Sequence, residues 1–188
     1  MDRRRALTLA AALAASPLAA LAQEGRRLTP TPECRGDEPT PPQTEGPFYT
    51  PSTPRKSSFL ADAKGERLVL EGRVLDTRFR AIGGAIVDLW HADAAGEYDN
   101  AGFRLRGHQL ADAEGRYRFE TIVPGHYPGR TRHFHLKVGA PGQRRVLTTQ
   151  LYFPGEPANQ RDGLYRRELL VALERPAARA RFDFVLRL

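Results

Sequence analysis

The chain has 188 residues, a formal charge of +7 and one cysteine. That length supports one domain with a substantial hydrophobic core, and a single cysteine excludes an internal disulfide. Its arginines are scattered, without a basic helix, a nucleic-acid-binding motif or a glycine-rich phosphate loop, so no nucleic-acid partner is expected. In chain order, Met1 to Ala22 reads as an export signal: Arg3, Arg4 and Arg5 precede the apolar run Ala6 to Leu21, and Ala20-Leu21-Ala22 makes an A-x-A cleavage pattern. The adjacent arginines resemble a twin-arginine signal, so the expected location is periplasmic or secreted. The run is short and alanine-rich for a membrane span, and no stable membrane insertion is expected after its removal; an uncleaved anchor is the alternative. Removal takes away three arginines and one aspartate and leaves +5, a positive field that attracts anionic aromatic acids.

Residues 23–59 are dense in proline, threonine, serine and charge, which predicts an extended arm rather than helix or sheet. Cys34, within it, is a free thiol or half of an intermolecular bridge. Two adjacent aromatics, Phe48 and Tyr49, follow Thr44-Glu45-Gly46-Pro47 and need a surface to pack on. The arm is therefore expected to strap onto the domain and, in the functional reading, to wall a pocket. Such an arm is also a route to a homo-oligomer.

From Arg67 onward the pattern is strand after strand. Leu68, Leu70 and Val74 alternate with Val69, Glu71 and Arg73, and Ala85 to Trp90 is the next strand. A loop with Gly96, Tyr98, Asp99, Asn100 and Gly102 follows. After the turn signal Asp112-Ala113-Glu114-Gly115, Tyr117 and Phe119 alternate with Arg116, Arg118 and Glu120. Later strands are predicted at His133 to Val138, Leu147 to Phe153 and Phe182 to Leu186, and only Gly163 to Leu173 has room for a short helix. This pattern predicts an all-β fold, a β-sandwich with an extended N-terminal arm and few or no helices. The expected organisation is a signal over 1–22, the arm over 23–59 and the sandwich domain over 60–188.

The chemistry concentrates in His126 to Val138. Phe134, Leu136 and Val138 alternate with His133, His135 and Lys137, so two imidazoles project side by side from the face opposite the apolar one. A His-x-His pair on a strand is often no more than a polar outer face. Zinc hydrolases with this pair usually add a nearby carboxylate, and a two-histidine ferrous site needs one for its facial triad. The neighbours here are Leu136 and Lys137. Tyr127 offers a phenol instead, because Pro128 and Gly129 let the chain turn back toward the histidines. A phenol ionises at neutral pH only beside a strong Lewis acid, and ferric iron fits that demand best.

An ordered series of motifs carries a resemblance: Thr44-Glu45-Gly46-Pro47-Phe48-Tyr49, Leu70-Glu71-Gly72-Arg73-Val74, Val87-Asp88-Leu89-Trp90-His91-Ala92-Asp93, Pro124-Gly125-His126-Tyr127-Pro128, Arg130-Thr131-Arg132-His133-Phe134-His135 and Thr149-Gln150-Leu151-Tyr152-Phe153-Pro154-Gly155. In this order they resemble the intradiol ring-cleavage dioxygenases, the family of catechol, protocatechuate and hydroxyquinol dioxygenases, in a small exported form. The resemblance implies a non-haem Fe(III) held by Tyr98, Tyr127, His133 and His135. It also implies a catechol-type substrate, cleaved with O2 between its hydroxyl-bearing carbons to a muconate-type diacid. Tyr127 would take up a substrate proton, Arg130 would stabilise developing negative charge, and Gln150 would hydrogen-bond substrate or orient a ligand. Pro47 and Tyr49 would help to wall the substrate pocket, with the segment from Phe103 to Leu105. The family usually has Arg-Pro-Ala-His where this chain has Arg130-Thr131-Arg132-His133, so Arg132 competes with Arg130. His91, His108 and His126 are read as structural. The alternatives are a secreted β-sandwich binding module without a catalytic metal and, on the same histidines, a zinc hydrolase.

Overall fold

The computed structural model describes residues 38–188; the expected export signal, Cys34 and the first part of the arm lie outside them. The strands are β1 (Arg67–Asp76), β2 (Ile86–Trp90), β3 (Arg106–Leu110), β4 (Arg116–Ile122), β5 (His133–Gly139), β6 (Val146–Tyr152), β7 (Ala172–Glu174), β8 (Arg179–Arg181) and β9 (Phe184–Leu186). One sheet has the order β4-β1-β8-β7, with β9 continuing beside β1; the other has the order β3-β2-β5-β6. Leu68, Leu70, Tyr117 and Phe119 from the first sheet and Val87, Leu89, Phe134, Leu136, Val138 and Leu151 from the second form the buried layer between them. This is the all-β sandwich that the alternating pattern predicts.

The outer face of the second sheet is built in rows, because directly opposed residues of antiparallel strands point the same way. Arg106, Trp90, His135 and Gln150 are opposed in turn across β3, β2, β5 and β6. His133 opposes Tyr152 on one side of that row, and His108, Asp88, Lys137 and Thr148 form the row on the other. One row further out lie Leu110, Ile86 and Val146, all exposed. Burial therefore deepens toward the end that carries the two imidazoles. The arm covers that end: Gln43 N–H donates to Thr148 O at 2.8 Å, and Gln150 Nε2 donates to Thr44 O at 2.9 Å. Gly46 passes so close to His135 that a Cβ there would meet its Cε1 at 3.3 Å, and its φ of +72° also favours glycine.

Two stretches differ from expectation. Gly163 to Leu173 forms no α-helix: it holds a three-residue 3-10 turn at Arg167–Leu169, and another turn precedes it at Pro157–Gln160. The chain must extend by Leu170, which bridges to Tyr152, so that Val171 N–H can bond Tyr152 O at 2.9 Å. β3, absent from the predicted elements, is an edge strand whose core-facing positions are Gly107 and Gln109. No apolar alternation marks it, and its outer edge pairs with the arm through Lys56 and Pro54.

His91, just beyond β2, is 1 % exposed, with Nδ1 2.7 Å from Ala92 O and Nε2 2.7 Å from Thr121 Oγ1. Burial pushes its pKa down from 6.5 to about 4. A depressed folded-state pKa gives stability that is complete above about pH 6.5 and lost as the pH falls toward 4. From 1.36 kcal/mol per pKa unit this is on the order of 3 kcal/mol. His91→Gln is expected to flatten the fall in urea midpoint between pH 7 and pH 4.5; an unchanged slope would assign the acid sensitivity to other groups.

Candidate metal centre

β5 turns His133 and His135 out of the core on the same face, 4 % and 3 % exposed, with their Nε2 atoms 3.1 Å apart. Nδ1 of His133 lies 2.6 Å from Thr131 O, an oxygen that can only accept. That contact assigns the proton to Nδ1 and leaves the lone pair on Nε2. His135 stacks flat on Trp90, with centroids 5.0 Å apart and an interplanar angle of 10°. Its Nδ1 is buried without a hydrogen-bond partner among the described residues. Burial first, then the charge of Arg130, lowers the His133 pKa to about 4. Burial, with His133 and Arg130 beside it, drives His135 well below the imidazole range. Both rings are therefore neutral at pH 7, with Nε2 atoms aimed at one point.

Tyr98 reaches this point, and Tyr127 stands beside Tyr98, on two loops that pack backbone against backbone. Gly96 and Gly125 both donate N–H to Asp93 O, at 3.1 and 2.7 Å. A Cβ on Gly96, at φ +89°, would lie 2.0 Å from His126 O, so only glycine permits this approach. The Tyr98 hydroxyl comes 3.3 Å from His133 Nε2. Tyr127 meets the Tyr98 ring edge-on at 6.1 Å, and Phe48 of the arm stacks on Tyr98 at 4.4 Å and meets the edge of Tyr127 at 5.4 Å. Burial raises the Tyr98 pKa above the usual phenol value, against the opposing pull of Arg130 and Arg106.

The other tyrosines are committed elsewhere. Tyr117 donates to Phe182 O at 2.8 Å across the core. Tyr152, opposite His133, points its hydroxyl at Gln43 Oε1, Leu164 O and Gln150 Oε1 at 2.6, 2.8 and 3.0 Å. Tyr49 is not brought to the imidazoles. It packs on Trp90 and under the Lys137 ammonium, with its hydroxyl 3.4 Å from Asp88, one row behind His135. Phe48 lies over the phenols instead, and Pro47 is exposed between Gly46 and Phe48. The turn at Pro47 and Phe48, entered through Gly46 at φ +72°, separates the two aromatics: Phe48 goes to the phenols and Tyr49 to Trp90.

Arg130 Nη2 donates to Gln150 Oε1 at 2.6 Å, and its Nε donates to the Asp162 carboxylate at 2.9 Å. Asp162 also accepts the N–H groups of Thr131 and Leu164. Burial works to raise its pKa, but these bonds and Arg130 hold it below the usual carboxylate value. Arg132 turns the other way, to Glu156 at 3.2 Å and His126. Asp162 and Arg106 were not singled out by the sequence; Asp162 follows a 3-10 turn, with no motif to mark it.

No group of three His, Cys, Asp or Glu side chains suited to a metal occurs among the described residues. Any ion at the imidazole pair would therefore take its other protein donors from phenols. Two neutral nitrogens and the Tyr98 phenol, which burial keeps protonated, fit a hard, highly charged cation able to ionise it.

The family model described as "Dioxygenase" matches residues 44–187. The protocatechuate 3,4-dioxygenase beta chain of Burkholderia cepacia is 35% identical over 136 residues, covering 63% of this chain and 58% of its own length. A catechol 1,2-dioxygenase of Pseudomonas sp. (strain EST1001) is 32% identical, covering 63% of this chain and 48% of its own length. The chain thus spans about half the length of these curated relatives. Among solved structures, the dioxygenase domain of a dioxygenase and carbohydrate-binding protein fusion from Streptomyces sp. SirexAA-E superposes with a TM-score of 0.77 at 45% identity. That match covers 80% of this chain and 99% of the domain. Fold, ordered motifs and these matches agree: the chain belongs to the intradiol ring-cleavage dioxygenase family.

Proposed function

We propose that the protein binds non-haem ferric iron and cleaves a catechol-type ring between its two hydroxyl-bearing carbons, placing both atoms of O2 in a muconate-type diacid. The observation that carries this reading is the approach of His133 Nε2 to both His135 Nε2 and the Tyr98 hydroxyl, at 3.1 and 3.3 Å, under the ring of Phe48. His133, His135, Tyr98 and Tyr127 would hold the ion. When bound, ferric iron supplies a Lewis acid that ionises the phenols and makes a chelated diol reactive toward O2.

The remaining work falls to the chain. Tyr98 stays in place, locked between Phe48 and His133. Tyr127 lines an open cleft of about 500 Å³ with Gly129, Arg130, Ala158 and Arg161, a size suited to a small ring ligand. Its phenolate oxygen accepts a proton from an incoming substrate hydroxyl. Arg130, steadied by Asp162 and Gln150, answers negative charge that develops on the ring. Catechol, protocatechuate and hydroxyquinol are the substrates to test, and two arginines at the cleft suit an anionic diol. Export of the mature protein belongs to the same proposal and rests on the sequence from Arg3 to Ala22.

The iron-loaded protein is expected to show a visible tyrosinate-to-iron band that shifts on anaerobic addition of its diol, and to consume one O2 per diacid formed. A colourless protein that takes up zinc or no metal sinks the reading. His133→Ala and His135→Ala should lose both colour and turnover. Tyr127→Phe should keep iron while kcat falls by roughly 10²- to 10⁴-fold, the range for a lost general acid–base group. Asp162→Ala strands the Arg130 guanidinium and the Thr131 amide; a cost of about 3 kcal/mol is expected from the loss of one partner of a buried pair, read as a lower urea midpoint.

A further inference from the structure

One buried cation in the row of His135 has no part in the chemistry proposed above. Arg106 is 1 % exposed and stands directly opposite Trp90, which is itself opposite His135. Its bonds end on neutral carbonyls: Nε and Nη2 donate to Asp99 O at 2.9 and 2.6 Å, and Nη1 donates to Phe48 O. A buried guanidinium is a costly way to tie two loops together, so what it ties is informative. One carbonyl belongs to the residue after Tyr98, and the other to the residue whose ring covers Tyr98 at 4.4 Å and 17°. A single side chain thus grips both the backbone beside the Tyr98 phenol and the ring above it.

The approach to Arg106 is also constrained. Leu105, just before it, has φ +53°, a conformation that leucine rarely adopts. It is held there by Asp62, which accepts its N–H at 2.7 Å, and by His91 N–H, which donates to its carbonyl at 3.3 Å. Strain of this kind persists where surrounding bonds over-determine it, and here it sets the direction in which β3 presents Arg106.

We infer that Arg106 is a positioning residue: through Asp99 and Phe48 it aims the Tyr98 hydroxyl at His133 Nε2 and so sets the geometry of the donor set. The inference rests on the iron-site reading above. Lysine keeps the charge, but its single ammonium lacks the planar fork that spans both carbonyls, so a charge effect and a positioning effect separate.

The test compares wild type, Arg106→Lys and Arg106→Met after loading with Fe(III). The readouts are iron stoichiometry, the visible tyrosinate band and the split of kcat from KM with catechol, with circular dichroism as the check on folding. Positioning predicts that both variants shift and weaken the band, and that kcat falls roughly 10- to 100-fold, as for a displaced reacting group, with little change in KM. Bands in both folded variants that match wild type overturn the inference and leave Arg106 a structural tie, as does a normal lysine variant beside an altered methionine variant. If neither variant folds, Phe48→Leu decides: it removes the ring and keeps the carbonyl, and an unshifted band overturns the inference. A wild type that binds no iron overturns the site reading, and this inference with it; a coloured wild type separates the two failures.

Discussion

The two-residue period of β5 is the constraint on which the rest depends. Phe134, Leu136 and Val138 are each fully buried in the sandwich core, which leaves His133 and His135 no choice but the opposite face. A slip of one residue would exchange core and site completely. Register then carries that choice outward. β2 sets Trp90 flat against His135, β6 sets Gln150 beside it and Tyr152 beside His133, and β3 adds Arg106 at the end of the row. The apolar packing that holds the two sheets together is therefore the same packing that aims the imidazoles.

Such a sheet face would be open to water without the arm. Gln43, Thr44, Gly46, Phe48 and Tyr49 cover it with few apolar side chains, using main-chain bonds and two rings. Removing water has one cause and two opposite effects: imidazole pKa values fall and the Tyr98 pKa rises, because burial disfavours a charge of either sign. His133, His135 and Tyr98 are thus uncharged on their own, and Tyr98 would acquire charge only in answer to a cation. A water-filled site with the same residues would lose that discrimination, since solvated histidines near their ordinary pKa would compete for protons.

Much of this was legible in the chain. Alternation located β5 and the apolar faces of β1, β2, β4 and β6, and the histidine pair could be read from spacing alone. The resemblance supplied Tyr98, which no periodicity marks, and the structure brings it to His133 while committing Tyr117 and Tyr152 elsewhere. Three things could not be read. β3 is hidden because Gly107 and Gln109 occupy its core-facing positions, so Arg106 had no visible strand to stand on. Which of Phe48 and Tyr49 faces the site depends on the arm's phase over the sheet, and spacing does not set it. That Arg130 turns to Gln150 while Arg132 turns away depends on Asp162 and Glu156, carboxylates more than twenty residues further along the chain.

The distribution of carboxylates narrows the chemistry further. Asp162 bonds Arg130 beside the site, yet Thr131 and Leu164 bond to it as well, and together they hold its pKa down. Asp88 faces Thr53 and Tyr49, and Asp99 is taken up by backbone N–H groups of its own loop with Arg104 at its side. Asp162 and Asp99 are poor bases, because protonating them breaks the bonds that lower their pKa; Asp88, which burial pushes up, is held by Thr53 one row behind His135. Both imidazoles, if they ligate, have no free lone pair to offer a substrate, since Nδ1 of His133 is already spent on Thr131 O. Tyr127 is the exception: its ring has partners, but its hydroxyl has no hydrogen bond among the described residues, and it faces the open cleft beside Arg130. The proton acceptance by the Tyr127 phenolate that the family resemblance implies, and that the proposed function assigns to a diol arriving through that cleft, therefore meets no free carboxylate at Asp162 or Asp99 to compete with it.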